Sequence, residues 1–254
     1  MNTLPDPFYD DGQITIYCGD SLAICPLLVS RHGPAAALTS DWPYTITAGS
    51  NSTNRMHGGI WDPKVYDNKG KMFPTLPITK ANVAPLLAAC RADADVYMMV
   101  NDKHLRAMLN SYAENKVGFH NLLIWQRGTK TPNKWGMKDI ELICYGWQGK
   151  ARTWNDMGHG VQFFDPTPPE HMKVHPTQKP DTLFQSWIEL STDPGELVID
   201  PFMGVGPALV GARRAGRRAI GVELQERYCE AAVRYLRTGS PSSQTSMMDM
   251  LLSA

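Results

Sequence analysis

The stretch Leu197-Val198-Ile199-Asp200-Pro201-Phe202-Met203-Gly204-Val205-Gly206-Pro207 constrains this chain more than any other. A short apolar run ends at an aspartate, a turn carries two glycines one residue apart, and a proline stands where a helix would begin. Proline at the first helical position gives up no hydrogen bond and arrives with its φ already set. Gly204 and Gly206 have no Cβ to hold a flat ligand off the backbone, and Asp200 falls at the carboxyl end of the strand, where open α/β sheets bind ligands. The next apolar run ends in Glu223, placed to accept hydrogen bonds from both hydroxyls of a ribose. This strand–helix–strand unit fits an adenosine-type ligand; the alternative is a tight structural turn with no ligand. A dinucleotide site would carry a third glycine at position 209, which is leucine. Arg213, Arg214, Arg217 and Arg218 read as solvated charges around the end of the helix.

Apolar runs of strand length alternate with helical patterns elsewhere, as in an α/β protein with a mostly parallel sheet and helices on both faces. The expected strands are Ile14–Cys18, Ala35–Thr39, Val96–Val100, Leu122–Trp125, Ile140–Tyr145, Leu197–Ile199 and Ala219–Val222. The expected helices are Asn82–Arg91, Lys103–Glu114, Thr182–Leu190, Ala208–Ala215 and Gln225–Leu236. The 254 residues suit a single domain over 1–238. Two excursions, at about 45–79 and 128–172, read as insertions at one end of the sheet. The polar tail 239–254 reads as disordered.

No apolar run is long enough for a membrane helix, and the first residues are acidic, so a cytoplasmic protein is expected. Five scattered cysteines without CxxC spacing argue for reduced core thiols and against a disulfide framework or a metal site. With 25 basic and 25 acidic residues the chain has no global field to advertise a polyanionic partner. Arg127, Lys130, Lys134 and Lys138 do form a local basic run, which reads either as a contact surface or as an ordinary solvated hairpin.

A second apolar run, Ala35–Thr39, leads into Ser40-Asp41-Trp42-Pro43-Tyr44. Pro43 biases Trp42 toward an extended conformation and stops the strand, leaving the Asp41 carboxylate and the Trp42 carbonyl as two adjacent acceptors. Two acceptors suit an NH2 group, and Tyr44 can stack on the ring that bears it. Taken alone, the turn reads equally well as a polar strand end with two aromatics on the core.

With the glycine turn, the chain resembles the amino-directed (N6-adenine/N4-cytosine) DNA methyltransferases of the β motif order. Gly19-Asp20 looks like their GD motif, Asp41-Trp42-Pro43-Tyr44 like the catalytic DPPY tetrapeptide, and Asp200–Gly206 like the DPFxGxG cofactor motif. His175-Pro176-Thr177-Gln178-Lys179-Pro180 matches a family hexapeptide residue for residue. Trp42 departs from the pattern, standing where the family has its first proline. The resemblance covers nearly the whole chain.

The resemblance implies a Rossmann-like S-adenosylmethionine-dependent fold in permuted order and direct methyl transfer to an exocyclic amino group of DNA, N6 of adenine before N4 of cytosine. It implies a catalytic turn of Asp41, Trp42, Pro43 and Tyr44. The cofactor would be held by Asp20, Asp41, Asp200, Gly204, Gly206 and Glu223, with Phe202 against adenine and Thr177 and Lys179 at the methionine carboxylate. The target base would be flipped from duplex DNA. Phosphate contacts would come from Arg127, Lys130, Lys134 and Lys138, with Asn133, Trp135 and Gln148 toward the bases. A homodimer or a short target site would reconcile small insertions with a neutral charge. The setting implied is restriction–modification or other phage or bacterial DNA modification. Competing readings are an RNA or protein-glutamine methyltransferase, a nucleotide-dependent oxidoreductase, and a non-catalytic DNA-binding protein that kept the fold.

Overall fold

Alternating burial decides how the strands are used. Along β2 (Ile14–Cys18), Ile14 and Ile16 face one apolar cluster and Tyr17 the other. Along β4 (Cys90–Val100), Val96, Met98 and Val100 face one side while Tyr97 and Met99 face the opposite side. Strands buried on both faces need helices on both faces. A computed structural model describes residues 3–43, 75–131, 136, 138–156, 160–165 and 178–240 and shows this arrangement. Helices α1 (Ser21–His32), α2 (Lys80–Leu87) and α3 (Leu105–Glu114) cover one face. The other face is covered by α4 (Asp181–Ser191), α5 (Pro207–Arg214) and α6 (Glu226–Thr238).

The remaining strands are β1 (Tyr9–Asp10), β3 (Ala35–Asp41), β5 (Val117–Thr131), β6 (Lys138–Gln148), β7 (Phe163–Phe164), β8 (Leu197–Asp200) and β9 (Arg218–Glu223). Among the described residues they form one sheet in the order β1-β2-β9-β8-β3-β4-β6-β5-β7. The centre from β2 to β4 is parallel, and β6 joins β4 antiparallel. From β8 the chain crosses through α5 to β9 on one side; from β3 it crosses through α2 to β4 on the other. The strand order therefore reverses between β8 and β3. Their carboxyl ends, Asp200 and Asp41, flank the crevice where ligands bind in such sheets.

Every expected strand and helix is present, with shifted ends. Three elements were not anticipated: α1, β1 and β7. In α1 the run Leu22–Val29 is almost uniformly apolar and carries Pro26, so it shows neither a 3.6-residue stripe nor an uninterrupted helical pattern. The second excursion needs correction. Lys138–Gln148 is a core strand between β4 and β5, so the sheet itself occupies part of the span first read as an insertion. The first excursion ends at Thr79, as expected, where that residue caps α2 with its side chain. Most of that insertion, and the tail beyond Ser240, lie outside the described residues.

Among the described residues no helix is long and apolar enough to cross a membrane. None of their His, Cys, Asp or Glu side chains form a group that could hold a metal ion. All five cysteines are free.

Candidate active site

The glycine turn is built from its own neighbourhood. Gly206 is the N-cap of α5, in the left-handed region at φ 79°, and Pro207 follows as the first helical residue. The two glycines serve different needs. A Cβ on Gly206 would meet the Ala232 Cβ at 3.1 Å, so this glycine lets α6 approach. Gly204, at φ 53°, faces open space: a Cβ there would meet nothing within 4 Å. Glu223 accepts from the Gly204 N–H through Oε2 at 3.1 Å and from the Gln225 N–H through Oε1 at 2.8 Å. Each oxygen keeps a further lone pair. Burial raises the Glu223 pKa, and these backbone donors oppose the shift.

Asp200 does something other than face a ligand outright. It is 2% exposed, and its Oδ1 accepts from the Ser40 hydroxyl at 2.5 Å and from the Phe202 N–H at 3.1 Å. It thereby ties β8 to β3 and starts the turn. Burial pushes its carboxyl up to about 7; the two hydrogen bonds oppose the shift, and the charges of Asp41 and Glu223 add to it. Asp20 caps α1 through the Leu22 N–H at 2.9 Å, and the Ser21 hydroxyl donates to the Pro201 carbonyl. The Gly19-Asp20 turn and the glycine turn are thus held together.

The Asp41 turn is assembled from distant parts of the chain. The Trp42 N–H donates to the Met99 carbonyl at 3.2 Å, extending β3 by one bond along β4. The indole is 1% exposed; its Nε1 donates to the Leu76 carbonyl at 2.7 Å, and its ring meets Phe202 edge-on at 5.2 Å. The Leu76 N–H in turn donates to the Pro43 carbonyl at 2.9 Å. Trp42 therefore clamps the chain returning at Leu76 against the turn, which is a use for the residue that departs from the family pattern. Among the described residues nothing donates to the Trp42 carbonyl, and Asp41 Oδ1 is buried without a hydrogen-bond partner.

The other Asp41 oxygen is occupied. Lys179, 4% exposed, places Nζ 3.1 Å from Asp41 Oδ2 and 2.7 Å from Glu141 Oε2, with the Trp125 ring 5.8 Å away. Behind it, Arg127 Nη1 lies 3.8 Å from Glu141 Oε1. Burial raises the Asp41 pKa, Lys179 pulls it down, and the Glu141 charge pushes it up. Lys179, expected at a ligand carboxylate, places its ammonium against two carboxylates of the chain itself. Glu141 was missed, although a lone acid within the apolar strand Ile140–Tyr145 was a signal in plain view. Ser40 was missed because a hydroxyl at a strand end carries no signal without its partner.

Both turns open into one cavity of about 330 Å³, a volume in the range of small-molecule sites. Asp20, Asp41, Trp42, Pro43, Lys179, Asp200, Phe202, Gly204 and Glu223 line it together. A family model described as "DNA methylase" matches residues 92–234, more than half of the chain. This chain belongs to the DNA methylase family. The chain is 51% identical over 57 residues to a protein named as a putative methylase, YubD of Escherichia coli (strain K12), a stretch covering 22% of the chain and 25% of that relative. The match thus spans a quarter of the curated relative's length. Among solved structures, the M1.HpyAVI–SAM complex superposes with a TM-score of 0.65 at 18% identity, covering 88% of this chain and all of that one. The PvuII DNA methyltransferase, described as cytosine-N4-specific, gives 0.70 at 14% identity, covering 98% and 94%. At these identities the likeness establishes the fold.

Of the residues first assigned to DNA, Lys130 is exposed on β5. Arg127, Lys138 and Gln148 make contacts within the chain. Arg127 Nη2 donates to the Lys138 carbonyl at 2.5 Å, where β5 and β6 pair nearest their connection, and Lys138 Nζ meets Asp102 at 2.6 Å. Gln148 is spent on the Leu87 and Arg91 carbonyls, so its place among base contacts is withdrawn. Asn133, Lys134 and Trp135 lie outside the described residues, as do Tyr44 and Thr177.

Proposed function

We propose that this methylase transfers a methyl group from S-adenosylmethionine to the exocyclic amino group of a DNA base, N6 of adenine. The observation that carries this reading is the single cavity shared by the Asp41 turn and the glycine turn. Its residues fit the cofactor. Gly204 leaves room that a Cβ would fill, and Glu223 keeps lone pairs for ribose hydroxyls while bracing the turn. Among the described lining residues, the carboxyl groups of Asp20, Asp41, Asp200 and Glu223 against the ammonium of Lys179 suit a cationic sulfonium. The complex of M1.HpyAVI with SAM supports the same ligand.

When bound, the cofactor supplies an electrophilic methyl group, which the amino nitrogen takes with its lone pair as the carbon–sulfur pair stays on sulfur. The chain's part is placement. Asp41 Oδ1 and the Trp42 carbonyl accept the two amino hydrogens and so aim the nitrogen lone pair into the cavity. As positive charge grows on nitrogen, the Asp41 carboxylate stabilises it and can take the departing proton. Phe202 offers its ring to the adenine of the cofactor, and Trp42 with Phe202 walls the cavity from water. Most of the acceleration comes from holding nitrogen and methyl carbon close and in line. The target base must leave the duplex to arrive there, at a cost of a few kcal/mol. Lys130 and, close by in the sequence, Asn133, Lys134 and Trp135 are the proposed DNA contacts.

An aspartate at the first catalytic position supports adenine; the fold shared with the cytosine-N4-specific PvuII enzyme supports N4 of cytosine as the second reading. Expression in a host without DNA methylation, followed by mass spectrometry of the nucleosides and long-read mapping, tests both. Wild type should leave N6-methyladenine at one sequence context, and Asp41→Ala none. N4-methylcytosine in its place selects the second reading. Unmodified DNA, together with no transfer of labelled methyl in vitro, would leave a DNA-binding protein that kept the fold.

A further inference from the structure

Four side chains of alternating charge run from β5 to the Asp41 turn: Arg127, Glu141, Lys179 and Asp41, with successive contacts of 3.8, 2.7 and 3.1 Å. They come from β5, β6, the segment before α4, and the end of β3. Lys179 is nine-tenths buried or more, and Asp41 and Glu141 are largely covered. A buried ammonium set between two carboxylates is costly to assemble and adds little stability over an apolar alternative. Its geometry has a specific consequence for Asp41. The ammonium covers Oδ2, while Oδ1, on the same carboxylate, is left buried without a partner.

We propose that Lys179 and Glu141 are positioning residues for Asp41: Lys179 occupies Oδ2 and fixes the carboxylate plane, Glu141 holds Lys179 in place, and Oδ1 alone is presented to the target amino group. This deepens the methyl-transfer reading and rests on it. A carboxylate free to rotate could offer either oxygen; one pinned through Oδ2 offers a single acceptor at a fixed point beside the Trp42 carbonyl. Lys179 also keeps Asp41 ionised where burial favours its neutral form, and only the ionised form accepts through both oxygens. The charged groups facing Asp41 are Lys179, Glu141 from β6 and Asp200 from β8, with Arg127 of β5 behind Glu141. Glu141 tempers Lys179: its charge pushes the Asp41 pKa up while the ammonium pulls it down.

The two residues therefore make opposite predictions. Lys179→Met, Lys179→Arg and Glu141→Gln are compared with wild type by three measurements. The first is single-turnover transfer of labelled methyl to unmethylated genomic DNA across the pH range. The second is titration of the Asp41 carboxyl by carbon-13 NMR of protein labelled at aspartate Cγ, the resonance being assigned with Asp41→Asn. The third is calorimetric affinity for S-adenosylmethionine. Lys179→Met should lower the rate at neutral pH by about 100-fold and move both the acid limb and the Asp41 titration to higher pH, with cofactor affinity held within about threefold. Lys179→Arg should restore part of the rate. Glu141→Gln should move the Asp41 titration to lower pH, and this shift carries the test if Lys179→Met does not fold. An Asp41 titration that stays put in both Lys179→Met and Glu141→Gln overturns the proposal, as does a Lys179→Met enzyme of full rate. The NMR titration needs no turnover, so wild type that transfers no methyl while Asp41 still responds to Lys179 sinks the methylation reading alone.

Discussion

The two turns that line the cavity are held in opposite ways. The glycine turn is stabilised mostly from within its own strand–helix–strand unit: Phe202 donates to Asp200 two residues away, and Glu223 reaches back nineteen residues to Gly204. The Asp41 turn depends on Met99, Leu76, Phe202, Glu141 and Lys179, which come from five other places in the chain. A locally braced turn can bind a cofactor wherever the unit folds. A turn braced at long range acquires its geometry only after the whole sheet has closed, and in the proposed reaction it is the one that places the nitrogen. The contrast predicts that substitutions in the Asp41 turn cost folding stability as well as rate, whereas those in the glycine turn cost cofactor affinity first.

The hardest test of that contrast is Trp42→Pro, which installs the residue the family pattern carries. Proline removes the N–H that bonds Met99, the indole N–H that bonds Leu76, and a ring packed edge-on to Phe202. Asp41, already extended at the end of β3, tolerates a following proline, so the loss comes from packing and hydrogen bonds rather than backbone strain. Urea denaturation should show a loss of roughly 3 to 5 kcal/mol. Trp42→Phe, which keeps the packing and gives up only the indole donor, should lose about 1 kcal/mol. A Trp42→Pro protein as stable as wild type would show that the clamp on Leu76 carries no weight and would dissolve the contrast.

What could be read from the sequence follows the same division. The glycine turn announces itself because proline, two glycines and a strand-ending glutamate are each required by a local backbone need. The parallel sheet shows in its apolar runs because strands buried on both faces have few other ways to look. Asp41 could be found from its strand and from Pro43, but its partners could not: Glu141 sits a hundred residues away, and nothing near it in the chain says what it faces. Lys179 lines the cavity, but its contacts with Asp41 and Glu141 could not be read from the sequence, since a lysine ahead of a helix looks the same whether it meets a ligand's carboxylate or the chain's own. α1 was hidden by a continuous apolar run with a proline inside it.

Asp200 lies on the border between the two regions, because Ser40 of β3 is one of its donors. Its pH dependence sharpens the comparison. The folded carboxyl titrates at about 7, above the value near 4 of an unfolded chain, so the folded state binds the proton more tightly. The stability this contributes is fully present below about pH 4 and is lost as pH rises through about 7. Asp200→Asn keeps an oxygen for Ser40 and Phe202 but cannot ionise. Wild type should therefore lose roughly 3 to 4 kcal/mol relative to the variant between pH 4 and pH 8, read by urea denaturation at successive pH values. A constant difference across that range would mean that Asp200 is not buried in the folded protein as its contacts imply.

The smallest effect separates binding from folding within the glycine turn. Gly204→Ala puts a methyl group into open cavity space without touching any neighbour, so its folding cost is limited to holding alanine at φ 53°, about 1 kcal/mol. The same methyl group occupies room proposed for the cofactor, and calorimetry should show affinity for S-adenosylmethionine weakened by about tenfold, more than that stability loss alone would bring about. Gly206→Ala is the contrasting variant, because its Cβ presses on Ala232 at 3.1 Å and strains α5 against α6, so it should cost stability before affinity. If Gly204→Ala binds the cofactor as tightly as wild type, the open space beside Gly204 is not where the ligand lies, and the local turn would have to be read as structural.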